Sequence, residues 1–319
     1  MKAVKSGASH LRRVSAAVGL AVATVLGAGA ARPSDASKPV LPLADSVTVA
    51  DTDFILGPSL DSLAGLSGKL RARFVAPGDD LQVPVLTQLF GDSSARRPGV
   101  YAVSEAVAGR PFALITLRPF ADKKNGRIGS YRIGSWPFER RTPSNPRYAS
   151  PVGFIEVTPE NQDTYVSEHF RLRDFLTKDQ HAVWPKYLVL DERLLDKLEL
   201  VMLELSRSGV PAQHLHVMSG FRTPQYNVKG VGAGGRASAS RHQYGDAADV
   251  FVDNDRNGRL DDLNGDGRVN TADVAVMIAA VERVERAYPE LVGGAGTYRA
   301  NSAHGPFVHI DARGNRARW

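Results

Sequence analysis

Two imidazoles and a carboxylate from separate segments of this 319-residue chain have the makings of a hydrolytic metal site. His242 and Asp249 stand seven residues apart, with Gly245 between them and the apolar Val250, Phe251 and Val252 after them. His304 and His309 follow near the end of the sequence. His242, Asp249 and His309 would give zinc three protein ligands and leave one position open for water. Zinc lowers the pKa of such a water to about 7 and polarises a scissile carbonyl. The alternative is a structural histidine and a strand-end aspartate that never meet.

The elements needed to bring these residues together can be read from local pattern. Residues 214–218 and 247–252 read as strands, and 307–311 as a last one. His242 then lies in a loop entering a strand that carries Asp249, and Gly245 lets the chain turn between them. Leu194, Leu195, Leu198, Val201, Met202 and Leu205 form a helical stripe that Asp191 caps and Gly209 ends. Residues 271–287 read as a second helix. Asp311 shares a strand face with His309, in position to orient it from behind. His214 and His216 share a face too and read as strand-surface residues. Strands and helices do not alternate regularly, so the expectation is α+β and not a doubly wound parallel sheet.

The first half has a different texture. Residues 71–75, 99–103 and 112–117 are β-rich and separated by Pro-Gly and Asn-Gly turns, which predicts a small β-rich domain over 51–136. The glycine- and aromatic-rich run 126–136 fits a glycan-binding loop or a hairpin with a packed Trp136. Residues 137–164, with prolines and arginines near their start, read as a linker to a domain over 165–319.

Ser240, His242, Gly245, Ala247 and Asp249 together spell SxHxxGxAxD, and Ser219, Gly220, Arg222 and Asn227 spell SGxRxxxxN. With the terminal Phe307, Val308, His309, Ile310 and Asp311, these segments resemble the zinc D-alanyl-D-alanine carboxypeptidases and related murein endopeptidases, which share a fold with hedgehog signalling domains. The resemblance covers about residues 165–319 and implies a small antiparallel sheet with flanking helices there. It implies zinc on His242, Asp249 and His309, and a peptidoglycan peptide as substrate. It assigns Arg222 to the substrate carboxylate or the oxyanion, a task suited to a planar guanidinium. Ser240 then binds substrate or orients its loop, with capping alone as the alternative. His304 assists proton transfer in one branch, whereas another branch has a glutamate where this chain has Pro306. Murein endopeptidase action by the same site, and a non-catalytic zinc-containing cell-wall binding module, are the alternatives the resemblance leaves open.

Between Asp249 and His304 lies an acidic insertion, 253–273. Asp262, Asn264, Asp266, Asn270 and Asp273 fall at positions 1, 3, 5, 9 and 12 of a calcium loop, with Gly267 at 6 and the carbonyl of Arg268 at 7. The loop resembles those of dockerins in ending on Asp. An overlapping copy, Asp253, Asp255, Asn257, Gly258 and Asp261, has only Asn264 at its twelfth position and is the weaker candidate. A solvated acidic turn is the alternative.

Composition bounds the context. Residues 1–13 are basic, 14–26 apolar and 28–30 small, the pattern of a secretory signal over 1–30 with a loose leader over 31–50. Four of the 40 basic residues lie in 1–30, which has no acidic residue, so 31–319 carries 36 basic against 34 acidic side chains. That balance gives no basis for nucleic-acid binding. With no cysteine, neither thiol catalysis nor a disulfide is available. The expectation is an exported monomer of the periplasm or cell-wall space, with no membrane insertion once the signal is removed.

Overall fold

The chain is α+β, and its largest sheet is built from the segments that carry the motifs. A computed structural model describes residues 60–232 and 235–319; the signal and leader expected over 1–50 lie outside these residues. Among the described residues no helix is long and apolar enough to cross a membrane.

The first half contains β1 (Ala72–Val75), β2 (Gly99–Val103) and β3 (Phe112–Thr116), with short helices α1 (Pro84–Phe90), α2 (Asp92–Arg96) and α3 (Glu105–Ala108) around them. The sheet order is β1-β3-β2, parallel between β1 and β3 and antiparallel between β3 and β2. Strand β3 is buried along its whole length. Phe112 and Leu114 pack with Leu60, Val85 and Leu86, while Ala113 and Ile115 point into the main core of the molecule. Alternating strand side chains thus serve two cores.

Strands β4 (Arg118–Pro119), β7 (Gly153–Val157) and β8 (Lys186–Leu188) form a second sheet, and β5 (Arg127–Ile128) and β6 (Tyr131–Arg132) a hairpin. The five-stranded sheet follows, in order β13-β11-β12-β10-β9, with β9 (Leu215–Ser219), β10 (Ala247–Val252), β11 (Gly294–Tyr298), β12 (Phe307–Asp311) and β13 (Ala317–Arg318). It is antiparallel except where β11 meets β13. Helix α4 (Glu192–Arg207) packs on α6 (Thr271–Ala287), and α6 packs on β11 and β12. The short α5 (Pro224–Val228) starts at Thr223, whose side chain accepts from the Tyr226 N–H.

Helix α4 explains why the two halves do not separate. Its apolar stripe is buried as expected, but Asp196, Lys197 and Glu199 are buried as well. Glu192 accepts from the Phe74 N–H at 2.8 Å, Asp196 from the N–H groups of Leu66 and Ser67 at 3.0 and 3.1 Å, and Glu199 binds His169 at 2.7 Å. Residues 192, 196 and 199 lie on one helix face. What reads as a solvent face is therefore the clamp on the first half.

The domain boundary expected at 137–164 is consequently absent. All described residues fall in one compact unit, and the main core runs from Leu70 and Ile115 through Phe154 to Leu198 and Val250. Phe154, Ile155 and Val157, in the supposed linker, are buried strand residues. The prolines and arginines of 137–150 mislead because they mark turns on the surface of one core. The run 126–136 is the hairpin with a packed tryptophan. Trp136 is buried, and its Nε1–H donates to the Gln243 carbonyl at 2.8 Å, next to His242.

Replacing Trp136 tests this brace. Trp136→Phe leaves a buried carbonyl without its donor and should cost about 1–3 kcal/mol in urea unfolding. Trp136→Ala adds a cavity and should cost about 3–5 kcal/mol. Equal midpoints for parent and both variants would mean the hairpin does not support the His242 turn.

Candidate metal centre

Asp249 and His309 are direct cross-strand partners on β10 and β12. Asp249 also faces Ser219 on β9, and His309 faces Gly296 on β11. One row across four strands therefore carries the site, and just after Asp249 the β9–β10 register shifts by one, with Met218 as the extra residue on β9. His242 enters from a short 3-10 turn, Arg241–Tyr244. Gly245 ends that turn at φ +72°, and a Cβ there would lie 2.4 Å from the Val189 carbonyl oxygen. Only glycine meets both demands. The buried Arg241–Asp246 ion pair closes the turn, with the guanidinium 5.0 and 4.6 Å from the ring centres of Tyr148 and Tyr244.

Three acceptor atoms converge. His242 Nε2 lies 3.2 Å from Asp249 Oδ1 and 3.1 Å from His309 Nδ1, and His309 Nδ1 lies 2.9 Å from Asp249 Oδ1. The far atom of each ligand is held separately. His242 Nδ1–H donates to the Gly220 carbonyl at 2.7 Å, His309 Nε2–H to Asp311 at 3.1 Å, and Asp249 Oδ2 accepts from Arg222. These partners assign the tautomers and turn both remaining nitrogen lone pairs toward Asp249 Oδ1. Tetrahedral zinc with bonds of about 2.0–2.1 Å has ligand–ligand edges of about 3.3 Å, close to the spacing here. The buried group can hold a metal ion, and its donor set fits.

The electrostatics agree with a cation at the centre. Burial pushes the His242 imidazole down, which favours the neutral form a metal needs. Burial also opposes charge on His309, but the Asp249 and Asp311 carboxylates outweigh it and raise its pKa. The same two carboxylates would stabilise a metal cation in that proton's place. Burial opposes charge on Asp249 too, yet the facing imidazoles hold it well below the usual carboxylate range. Asp311 is likewise kept ionised against burial, by His309 and Arg313.

The centre lies in a cleft of about 860 Å³ that also exposes Arg222, Ser240, His304 and Trp319. Arg222 Nε donates to Ser219 Oγ at 2.8 Å, and its backbone N–H to the His242 carbonyl at 3.1 Å. Ser240 begins the 3-10 turn without a side-chain cap bond, so the merely loop-capping alternative is not what its hydroxyl does. His304 stands in the cleft wall but away from the ligand set. Its ring packs on Phe307, and its nitrogens meet Asn301 and the Gly305 carbonyl. Asn227, from the upstream motif, is buried and donates to the Ala237 carbonyl at 3.0 Å, tethering the strand-to-turn loop.

Sequence reasoning missed two side chains here. Ser219 is the first residue of a quoted motif, yet only its pairing opposite Asp249 shows that it holds Arg222. The Trp319 ring lies 5.2 Å from the His309 ring, its Nε1–H donates to Tyr298 Oη at 3.1 Å, and a Cβ on Gly296 would lie 2.3 Å from the indole. A tryptophan beyond the last expected strand gave no such signal.

Both loops of the acidic insertion fold back on their own backbone, with Asp253 accepting from the Asn257 and Gly258 N–H groups and Asp262 from those of Gly265 and Gly267. The carboxylates of Asp253, Asp255 and Asp261 form a group able to hold a cation, whereas those of Asp262, Asp266 and Asp273 form no such group among the described residues. Asn270 and Asp273 make the capping box of α6, and Asp273 also accepts from the Leu263 and Asn264 N–H groups. Asp262 accepts from Gly265 and Gly267, and Asp266 from Arg268. Spacing that suits a calcium loop thus also suits helix capping.

No family model, no curated protein and no solved structure matches the chain.

Removing the anchor behind His309 should weaken metal binding without deleting a ligand. Asp311→Asn is expected to lower zinc affinity about 10–100-fold in competition with a chelator, and His242→Ala to abolish stoichiometric binding. Parent-like affinity in both variants would show that the three residues hold no metal.

Proposed function

We propose that this chain is a zinc peptidase that acts on peptidoglycan peptides, as a D-alanyl-D-alanine carboxypeptidase. The observation that carries the reading is the convergence of His242, Asp249 and His309 beneath an open cleft, with Arg222 bonded to the same aspartate. The SxHxxGxAxD and SGxRxxxxN segments, which both contribute to that centre, support the substrate class by resemblance. When bound, zinc supplies Lewis-acid chemistry at the cleft floor. Ser219 and Asp249 hold two edges of the Arg222 guanidinium, which fixes its plane for a carboxylate or a developing oxyanion. Ser240 offers a hydroxyl to substrate from the cleft wall. His304 serves proton transfer only through a ring movement or a bridging water, since its partners are Asn301 and Gly305. Export to the periplasm or cell-wall space accords with the basic-apolar-small pattern of residues 1–30.

Incubation of the zinc-loaded protein with a pentapeptide muropeptide ending in D-Ala-D-Ala, read by mass spectrometry, should show loss of one alanine. Cleavage at an internal cross-link would make it an endopeptidase, and binding without cleavage a wall-binding module. Arg222→Lys keeps the charge but not the planar fork. It should retain zinc and lose about a hundred- to a thousandfold in kcat, whereas parental turnover would remove Arg222 from the site.

We further propose calcium in the insertion, at Asp253, Asp255 and Asp261 in preference to the second loop. A site with a Kd of about 10⁻⁴ M in about 10 mM calcium adds about 2.7 kcal/mol to stability. Calcium should therefore raise the melting temperature of the parent and not of Asp255→Asn. A shift lost only in Asp266→Asn would place the ion in the second loop.

A further inference from the structure

A second cleft, of about 650 Å³, lies beside the β5–β6 hairpin and shares no lining residue with the metal cleft. Its walls carry Lys123, Arg127, Arg132 and Arg140, with Glu139 as the one acidic residue. Glu139 is already matched: Lys123 Nζ donates to both its oxygens, at 2.7 and 2.8 Å. Arg127, Arg132 and Arg140 are exposed and take part in none of the ion pairs among the described residues. The charge is concentrated here. Residues 123–141 hold six basic side chains and one acidic, a net +5, whereas the remainder of 31–319 is net −3.

The hairpin register makes this costly. Arg127 and Arg132 are direct cross-strand partners in an isolated two-stranded ribbon. Like charges placed directly opposite each other destabilise a β-pair. The backbone cannot slip to relieve them, because Gln180 clamps Arg132 from both sides, accepting from its N–H at 2.8 Å and donating to its carbonyl at 2.9 Å. Residues that break a local stability rule without a compensating contact mark functional sites.

We propose that this cleft binds an anionic polymer carrying phosphate or carboxylate groups along its length. Guanidinium forks match both groups bidentately, and three unpaired forks around one cleft exceed what a single small anion needs. Bound acidic groups would also neutralise the opposed Arg127–Arg132 pair. The site adjoins the metal centre through two contacts: the Gln225 N–H donates to the Ile133 carbonyl at 2.9 Å, and Trp136 to Gln243. It does not depend on metal or on peptidase activity.

Fluorescence anisotropy with labelled inorganic polyphosphate and with polyglutamate tests the proposal on the full chain. The parent should bind at least one of the two, more weakly as salt rises, and the polymer preferred identifies the acidic group. Arg127→Gln with Arg132→Gln should weaken binding at least tenfold while leaving the melting temperature unchanged or higher, since an internal repulsion is removed. Arg207→Gln with Arg286→Gln removes the same charge from exposed positions elsewhere and should weaken binding less than twofold. Equal losses in the two double variants would reduce the cleft to diffuse charge and overturn the proposal. So would failure of the parent to bind either polymer, or binding confined to vesicles of anionic phospholipid.

Discussion

Three hydrogen-bond acceptors facing one another inside a protein repel, and this constraint organises the molecule. A nitrogen lone pair from His242, another from His309 and an oxygen of Asp249 are aimed at a common point by anchors on their far sides. The anchors carry charge of their own, so the balancing extends outward. Asp311 is paired with Arg313, and Glu285 with both Lys197 and Arg318. Lys197, on the central helix and fully buried, also donates to the Asp311 carbonyl at 2.7 Å. Buried charges are tolerable only when paired and hydrogen-bonded. The polar residues of α4 and α6 are thus part of the support of a site carried on β10 and β12.

The halves of the chain meet on the same terms. The first half supplies Trp136 against the turn that holds His242, and Tyr148 against the guanidinium that closes it. In return, α4 offers three carboxylates to backbone and side-chain donors of residues 66–74 and 169. Such directional contacts fix relative position more sharply than apolar contact alone. They suit a centre whose donor atoms must hold their separations to a few tenths of an ångström.

The elements around the centre were largely legible in sequence. The stripe on α4, the span of α6 and the strands with Asp249 and His309 follow from periodicity and caps, and the structure places them within a residue or so of expectation. The α+β class followed from the same pattern. The domain boundary did not, because periodicity reports where apolar residues point and is silent on buried polar ones. Asp196, Lys197 and Glu199 look like a solvated face until their partners, from far along the chain, are in view. The acidic insertion reads more than one way for a related reason. Aspartate and asparagine at short intervals serve cation loops, Asx turns and helix caps alike, and Asn270 and Asp273 took the last role. Local sequence also could not show that His304 is engaged by Asn301 and Gly305 in place of the ligand set.

Trp319 gives the centre an optical consequence. Its indole lies against the His309 ring, with the Arg313 guanidinium 5.5 Å from its own ring centre. Trp136 is sealed in the core and Trp184 stands partly covered beside Lys186. The emission of an indole responds to charge at its face, so the light from Trp319 would change if a cation were bound at His309. Binding at that position could then be followed by intrinsic fluorescence, with no label to attach.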